Sequence, residues 1–406
     1  MGRLTGWLRR NPPWLAVLLV GTLSATEGTA PAPRDLGNGL QVHGFASLTA
    51  VKTSDNRFFG DSPDTSPDFI EVALNASYRL NPRVMFAGQV LSRLAGEMYN
   101  GTPTLDYGLV DATLDATATR RLGVRLGRLK NPLGLYNATR DVPFTRPTIF
   151  LPQVIYFDKV RNMLLSTDGL MFYGDRYGDY GSLSVTLGGG QSVVDDNLEW
   201  VLLGDNLSGN LLSRGVSWVG SLWYATPGER WRLGLSVLRS SFNYQPGADP
   251  DLGAGQADAT VSIASAQYNT ERWTLSAEFS RLPLFWRDFG DAFPFRTSAG
   301  EAYYLQGAYR LRPDLELTLR YESGVNDRQD RDGTRASAAL NGVGPPFDFY
   351  ARTWTLGVRW DLGPHLMLRA DYQRHQGTYT LSVRENDPAG LVPDWDLFAL
   401  QIAVRF

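Results

Sequence analysis

Cysteine is absent from all 406 residues, so disulfides, thiolate metal sites and a lipid-modified N-terminal cysteine are excluded. After residue 30 the chain also lacks a long apolar run, and no segment reaches the about 20 residues of a membrane-spanning helix. Charge of one sign is not in excess either, because 39 Lys and Arg face 42 Asp and Glu, a net charge of −3. A nucleic-acid-binding protein would carry a basic footprint, so the composition predicts no nucleic-acid partner.

Histidine is scarce, and its placement argues against catalysis. His365 and His375 lie ten residues apart on one candidate strand, about 33 Å when extended, so they cannot converge on one metal or base. His43 and Ser47 lie four apart on one strand face, too far for direct contact at about 3.3 Å per residue. The acidic stretch 327–333 lacks the terminal glutamate of a calcium loop. We therefore predict no catalytic site, no metal and no cofactor.

The first thirty residues have the three parts of a secretory signal peptide. Three arginines precede residue 11, an apolar run covers 14–20, and small residues follow up to Ala30. This pattern predicts a signal peptide over 1–30, cleaved between residues 24 and 32, because the apolar run is too short to span a membrane. The remaining residues, 31–406, are expected to form one exported domain.

The last nine residues alternate strictly between apolar and polar or small side chains. One face of this strand consists of Phe398, Leu400, Ile402, Val404 and Phe406. Since successive side chains of a strand point to opposite faces, the strand is apolar on one side only. This ending resembles the C-terminal insertion signal of bacterial outer-membrane barrels, with Phe406 as its terminal aromatic. The resemblance implies an outer-membrane location, reached through the periplasm, and recognition by the barrel-assembly machinery.

Upstream, sixteen candidate strands are separated by connections that alternate short and long. Short turns fall at 81–82, 120–121, 312–313 and 363–364, and long connections at 96–104, 129–167, 191–213 and 325–350. Short turns on one rim and long loops on the other are typical of outer-membrane barrels. We predict an all-β, transmembrane antiparallel barrel of sixteen strands, with fourteen or eighteen as alternatives if one weak hairpin is misread.

Aromatic side chains cluster near both ends of the outward faces. We assign to the short-turn end Tyr78, Trp273, Tyr309, Trp360 and Phe406, and to the long-loop end Tyr107, Tyr303, Tyr321 and Tyr372. Two aromatic girdles bordering an apolar band fit a bilayer.

The inward positions of the same strands carry many charges. A barrel of this width is expected to enclose water, in which ionised groups are tolerated and influence ion preference. The predicted pore-lining residues are Arg125, Glu316, Arg320, Arg359, Arg369 and Asp371. Part of this set is expected to pair across neighbouring strands and hold the register instead.

The third long connection, 129–167, is unusually apolar and rich in proline. Ile149, Phe150, Leu151 and Phe157 argue against disorder and predict a segment packed on other parts of the chain. Signal peptide, sixteen strands, terminal Phe406 and long third loop together resemble the Gram-negative porins. In that family the third extracellular loop folds into the barrel and narrows it. The segment 127–134, followed by Arg140, is similar to the strand-to-loop region of anion- and organic-acid-selective porins.

The resemblance implies a pore constriction built from the charged residues of this loop. The candidates are Lys130, Arg140, Asp141, Arg146, Asp158, Lys159 and Arg161. Five cations against two anions favour anions at the narrowest point. The implied function is passive diffusion of small hydrophilic solutes through a water-filled channel, with outer-membrane lipid and lipopolysaccharide as surroundings and a homotrimer as assembly. The alternatives are a transport barrel with a plugged lumen for a hydrophobic or larger ligand, and an adhesion or structural barrel.

Overall fold

The computed structural model describes residues 34–35, 39–204, 208–248, 252–290, 293, 296–341 and 344–406. The predicted signal peptide therefore lies outside the described residues. In the described part, sixteen long strands form one antiparallel ring, as predicted. They are β1 Leu40–Thr53, β2 Ser66–Asn81, β3 Val84–Ala95, β4 Tyr99–Ala116, β5 Arg120–Lys130, β6 Ser166–Gly178, β7 Gly181–Ser192, β8 Ser217–Ala225, β9 Trp231–Gln245, β10 Gly255–Asn269, β11 Trp273–Arg287, β12 Thr297–Arg312, β13 Leu315–Val325, β14 Tyr350–Asp361, β15 Leu366–Gln376 and β16 Asp394–Arg405.

The ring closes between its last and first strands. β16 pairs antiparallel with β1 from Leu397 opposite Thr53 to Arg405 opposite Phe45. Beyond β16, Phe406 and Gly44 exchange backbone hydrogen bonds of 3.0 and 3.2 Å. A side chain at position 44 would meet the Phe406 ring, because a Cβ there lies 2.3 Å from it. Closure leaves the sheet without a free edge.

Few elements lie outside the ring. The short strand Arg34–Asp35 pairs with β1, and Asn210–Ser213 extends the pairing of β9. The described helices are α1 Arg161–Leu165, α2 Asp196–Leu203 and α3 Thr334–Ala339, all in long connections. Within the described ranges, no helix is long and apolar enough to cross a membrane.

The outer wall is apolar, as the alternating pattern predicts. In β16, Phe398, Leu400 and Ile402 are exposed, whereas the intervening Ala399 and Gln401 are buried. Leu233, Leu275, Leu305, Leu319 and Leu356 extend the exposed band around the barrel. A closed sheet with an apolar outer surface satisfies both its backbone and its side chains in lipid.

Both aromatic girdles contain close ring pairs. Trp273 and Tyr309 lie 4.5 Å apart between ring centroids at the short-turn end, and Tyr321 and Trp354 lie 4.8 Å apart at the long-loop end. The outward assignment of Tyr107 is wrong. The register between β3 and β4 shifts so that Gln89 faces Tyr107 while Val90 faces Leu105, and the extra residue turns Tyr107 towards a cavity inside the barrel.

The second long connection is also shorter than predicted. Only residues 96–98 separate β3 from β4, because Tyr99–Thr104 already belong to the strand. Gly101 and Pro103, which are typical of a loop in the sequence, lie in its irregular first part, where the β3–β4 register shifts again between Ser92 and Leu94.

Replacing Leu356 with arginine tests the lipid-facing assignment. Leu356 lies between Trp354 and Trp360 on the outward face, so a charge there would enter the apolar band. We expect Leu356→Arg to lower the free energy of unfolding in vesicles by about 2–4 kcal/mol, measured by urea titration. Leu356→Ala is the control. Equal losses in both variants would contradict a lipid-facing position.

Candidate functional site

The apolar side chains of the connection 131–165, between β5 and β6, pack mainly against the inner wall on one side of the barrel. Its apolar side chains, among them Leu133, Val154, Ile155 and Phe157, belong to one buried cluster. That cluster also contains inward residues of β8 to β10, which are Val219, Leu238, Val261 and Ile263, and Leu198 and Leu202 of α2. The barrel interior on this side is therefore a packed apolar core, not a water-filled space.

Glu278 of β11 attaches the loop to this wall. Its carboxylate accepts hydrogen bonds from the Leu135 backbone N–H at 2.8 Å and from the hydroxyls of Tyr156 and Tyr304. Ser265 of β10 donates a further bond of 2.6 Å. Four donors around one buried carboxylate offset the cost of removing it from water.

A second attachment lies on β13 and β15. Arg320 donates to the Thr148 hydroxyl at 2.7 Å, and Arg369 donates to the Thr148 carbonyl at 3.1 Å. Asp371 accepts the backbone N–H of Ile149 at 2.8 Å. These predicted pore-lining residues are only 1–3 % exposed, so they are buried beneath the loop and do not face open water.

The other predicted pore-lining residues remain partly accessible. Arg125 donates to Asp111 at 2.8 Å, and Arg359 donates to Asp361 and to the Phe144 carbonyl, both at 3.0 Å. Glu316 lies half-buried, opposite Arg359 in the register of β13 with β14. In these three, cross-strand or short-range pairing coexists with access to the lumen.

The charged residues of the loop form a buried network with β2, β3 and β4. Lys130 and Arg161 both contact the carboxylates of Asp141 and Asp106. Sequence reasoning gave Asp106 no role. The charge excess expected from the loop alone is therefore reduced by a strand carboxylate.

Strand residues also pair with the other charged residues of the loop. Asp158 pairs with Arg140 at 3.3 Å and with Arg93 of β3 at 2.8 Å, while Arg146 pairs with Glu71 of β2. Lys159 does not belong to this network, so with Arg93 the network holds five cations against four anions. It surrounds a space of about 10 Å³, room for about one water. Glu71 and Arg93 are directly opposite each other in the register of β2 with β3. This cross-strand charge pair was the sequence signal that could have indicated Arg93.

The pKa values of loop residues follow from this pairing. Burial raises the pKa of the Asp141 carboxyl, but Arg161 and Lys130 outweigh it and hold the value well below its usual range. Lys159 is different, since burial lowers its pKa to about 8 and Asp348 opposes this only in part. Its ammonium donates to the Tyr379 carbonyl and lies 4.8 Å from the centre of the Tyr379 ring.

A cavity of about 370 Å³ adjoins the loop near β2 to β6. Its walls combine polar side chains, among them Gln89, Arg125 and Lys130, with apolar ones such as Leu109 and Met171. Among the described residues, no group of three or more His, Asp or Glu side chains could hold a metal ion. The arrangement suits non-covalent passage or retention of a small solute.

No protein-family model matches this chain, and no curated protein matches it. Several solved structures do match this chain. An anion-selective porin from Comamonas acidovorans is 13% identical with a TM-score of 0.56, over 90% of this chain and 99% of that one. OprB of Pseudomonas putida is 14% identical with a TM-score of 0.55, over 91% and 95%. DcaP, an outer membrane channel of Acinetobacter baumannii, is 12% identical with a TM-score of 0.53, over 95% and 100%. The fold is that of the porin-type outer-membrane barrels.

Removing the Glu278 carboxylate should loosen the loop. In Glu278→Ala, Leu135, Tyr156 and Tyr304 lose a shared acceptor, and each buried donor left unpaired costs about 1–3 kcal/mol. We expect tryptic cleavage within 131–165 of the folded, reconstituted protein to accelerate at least roughly tenfold. Glu316→Ala is the control for losing a lumen carboxylate. Equal acceleration in the control would refute the anchoring role.

Stability should depend on pH through Lys159. Its folded pKa of about 8 lies below the unfolded value of about 10.4, so the unfolded state binds more protons between them. Stability at this site therefore rises with pH from about 8 to about 10. We expect the urea midpoint of the native protein to rise relative to that of Lys159→Met as the pH increases over this range. Lys52→Met is the matched control at an exposed lysine, and a constant difference would contradict the assignment.

Proposed function

We propose that the chain is a porin-type channel of the bacterial outer membrane for passive diffusion of small hydrophilic solutes. The supporting observation is the charged network between the third loop and β2 to β4, inside a closed barrel with an apolar outer wall. Such a network restricts the lumen by size and charge without any catalytic group. The long loops then face the cell exterior, and the short turns and both termini face the periplasm.

The proposed selectivity is a weak preference for anions, including organic acids. One excess cation in the network, together with Arg125 and Arg359 at partly accessible lumen positions, supports it. Low-dielectric walls focus such a field. The amphipathic cavity beside Lys130 suits an organic anion with a short apolar part.

The remaining expectations belong to the same proposal. Residues 1–30 are a signal peptide, and 31–406 are the barrel domain. The barrel-assembly machinery recognises the strand that ends at Phe406, and three copies form a trimer surrounded by phospholipid and lipopolysaccharide. Each is supported by the sequence pattern or by the likeness to porins.

A second candidate function is a transport barrel whose lumen is plugged until a specific ligand binds. It is favoured by the attachment of the loop to opposite parts of the wall, through Glu278 of β11 on one side and through Glu71 of β2 and Arg93 of β3 on the other. A loop held at both sides crosses the lumen and does not merely line it.

Conductance of the purified protein in a planar bilayer separates the two candidates. We expect discrete open steps and an anion-directed reversal potential under a salt gradient. Arg140→Ala and Arg146→Ala each remove a cation from the network and should move the potential towards cation preference. Arg120→Ala, at an exposed ion pair with Asp115 on the short-turn rim, is the control. Absence of conductance from folded protein would reject the open channel in favour of the plugged barrel.

A further inference from the structure

The connection 377–393, between β15 and β16, reaches across the long-loop end of the barrel. In its middle, Arg384 donates a hydrogen bond of 2.7 Å to the side-chain oxygen of Asn197 in α2. α2 belongs to the connection between β7 and β8, which is half the sixteen-stranded ring away from β15 and β16. Two connections that start on opposite sides of the barrel therefore meet over the lumen. We refer to residues 377–393 as the strap.

Other connections join the strap and α2 at the same point. Asn197 donates a hydrogen bond of 3.0 Å to the carbonyl of Met98, in the connection between β3 and β4, a quarter of the ring from either side. Asp195, the N-cap residue of α2, accepts a bond of 2.7 Å from the side chain of Asn162 in α1 of the third loop. Contacts from three sides of the rim thus converge on α2, so the long-loop end of the barrel is bridged.

Glu385 fastens the strap to the neighbouring connections. Its carboxylate accepts three backbone hydrogen bonds, at 2.9, 3.1 and 3.0 Å, from Phe59, Gly60 and Glu97. Phe59 has a φ of 58° and Gly60 one of 80°, and successive N–H groups in such a conformation form a nest for an anion. Gly96 leaves room for this anion, because a Cβ there would lie 1.6 Å from a carboxylate oxygen of Glu385.

The middle of the strap is held by side chains, whereas its first residues are held by the backbone. Leu381 packs in a buried cluster with Phe150 of the third loop, and Asn386 makes two hydrogen bonds with the backbone of Arg57, at 2.9 and 3.0 Å. By contrast, the backbone N–H groups of Thr378 and Tyr379 bond to carbonyls of 347 and 350. A few side-chain contacts break at a lower free-energy cost than continuous backbone ladders. The part of the strap beyond 379 can therefore lift while the barrel stays intact.

We propose that the strap and α2 form a gate at the long-loop entrance, and that Glu385 is its latch. While Glu385 occupies the nest and Arg384 contacts Asn197, solutes do not reach the third loop from this end. Release of these contacts moves a connection and leaves the strands in place, as in other hinged closures. The gate controls how long the channel is open, whereas the charged network of the third loop controls which ions pass. The inference depends on the channel in the proposed function and adds control of its opening.

Cross-linking across the lumen tests the gate, and the absence of cysteine makes it specific. Asn197→Cys/Arg384→Cys places one thiol on each side of the bridging contact. A short bis-methanethiosulfonate reagent joins the thiols through two disulfides, and a reductant reverses the reaction. In planar bilayers we expect the unlinked double variant to be open for a larger fraction of the time than the native protein. The linked protein should stay closed, and reduction should reopen it. Each single variant with the same reagent is the control.

A change at the latch tests the same gate without a cross-link. Glu385→Gln removes the negative charge from the nest, and Asp387→Asn makes the same charge change in the same strap. Asp387 is the matched control, because its carboxylate bonds within the strap, to the Ala389 N–H at 3.0 Å. Lifting is measured by maleimide labelling of Thr380→Cys, at a strap position that is 7 % exposed. We expect Glu385→Gln to accelerate labelling about tenfold and to raise the open fraction, and Asp387→Asn to change neither.

Several outcomes overturn the gate. These are linked protein that conducts like reduced protein, equal effects of Glu385→Gln and Asp387→Asn, or faster labelling without a change in open fraction. Failure of the reagent to join the two cysteines would overturn the contact on which the gate depends. A protein that conducts whether linked or not rejects only the gate. One that is labelled faster in Glu385→Gln but conducts in no variant rejects the open channel of the proposed function, whereas the latch stands.

Discussion

The rest of this structure depends on hydrogen bonds between backbone groups, because the hydrocarbon core of a bilayer offers these groups no other partner. Within a bilayer, every strand N–H and C=O must find its partner in the protein. The pairing of β16 with β1 meets this demand at the last free edge, and the mutual hydrogen bonds of Phe406 and Gly44 complete it. Once the sheet is closed, side chains have only two destinations, lipid outside and the enclosed lumen inside, and the alternation along each strand follows.

The lumen itself contains two different environments. On the side of β8 to β10 it is a dry apolar core with the third loop and α2 packed into it. Towards β2 to β4, ionised groups are buried but paired, as in Arg93 with Asp158 and Arg146 with Glu71. Removing one member of such a pair leaves an uncompensated charge and is far costlier than the pair is stabilising. The loop is therefore held by specific partners, and its position has few close alternatives.

Local pattern predicted the barrel well and the lumen poorly, for a physical reason. Alternation and turn residues are properties of neighbouring positions, so the apolar face of β16 and the sixteen strands could be inferred directly. Tyr107 was assigned to the wrong face, because one extra residue in β4 inverts the positions that follow it up to the next register shift, after Thr113. Asp106 and Arg93 were missed as network members because Arg161 and Asp158, the loop residues that they contact, lie 55 and 65 residues away in the chain. Arg320, Arg369 and Asp371 were recognised as inward, but nothing local indicates that a loop more than 150 residues earlier covers them.

The contacts of the third loop also restrict the order in which the molecule can be built. The loop leaves β5 and returns to β6, yet it hydrogen-bonds to Glu278 of β11 and to Asp371 of β15, 222 residues beyond Ile149. Contacts this distant form late, because the chain between them must first be ordered. The loop cannot finish docking until the last strands arrive, and those strands must curl around it to reach β1. The full set of loop contacts therefore becomes available only when β15, the strand next to β16 at the closing seam, is in place.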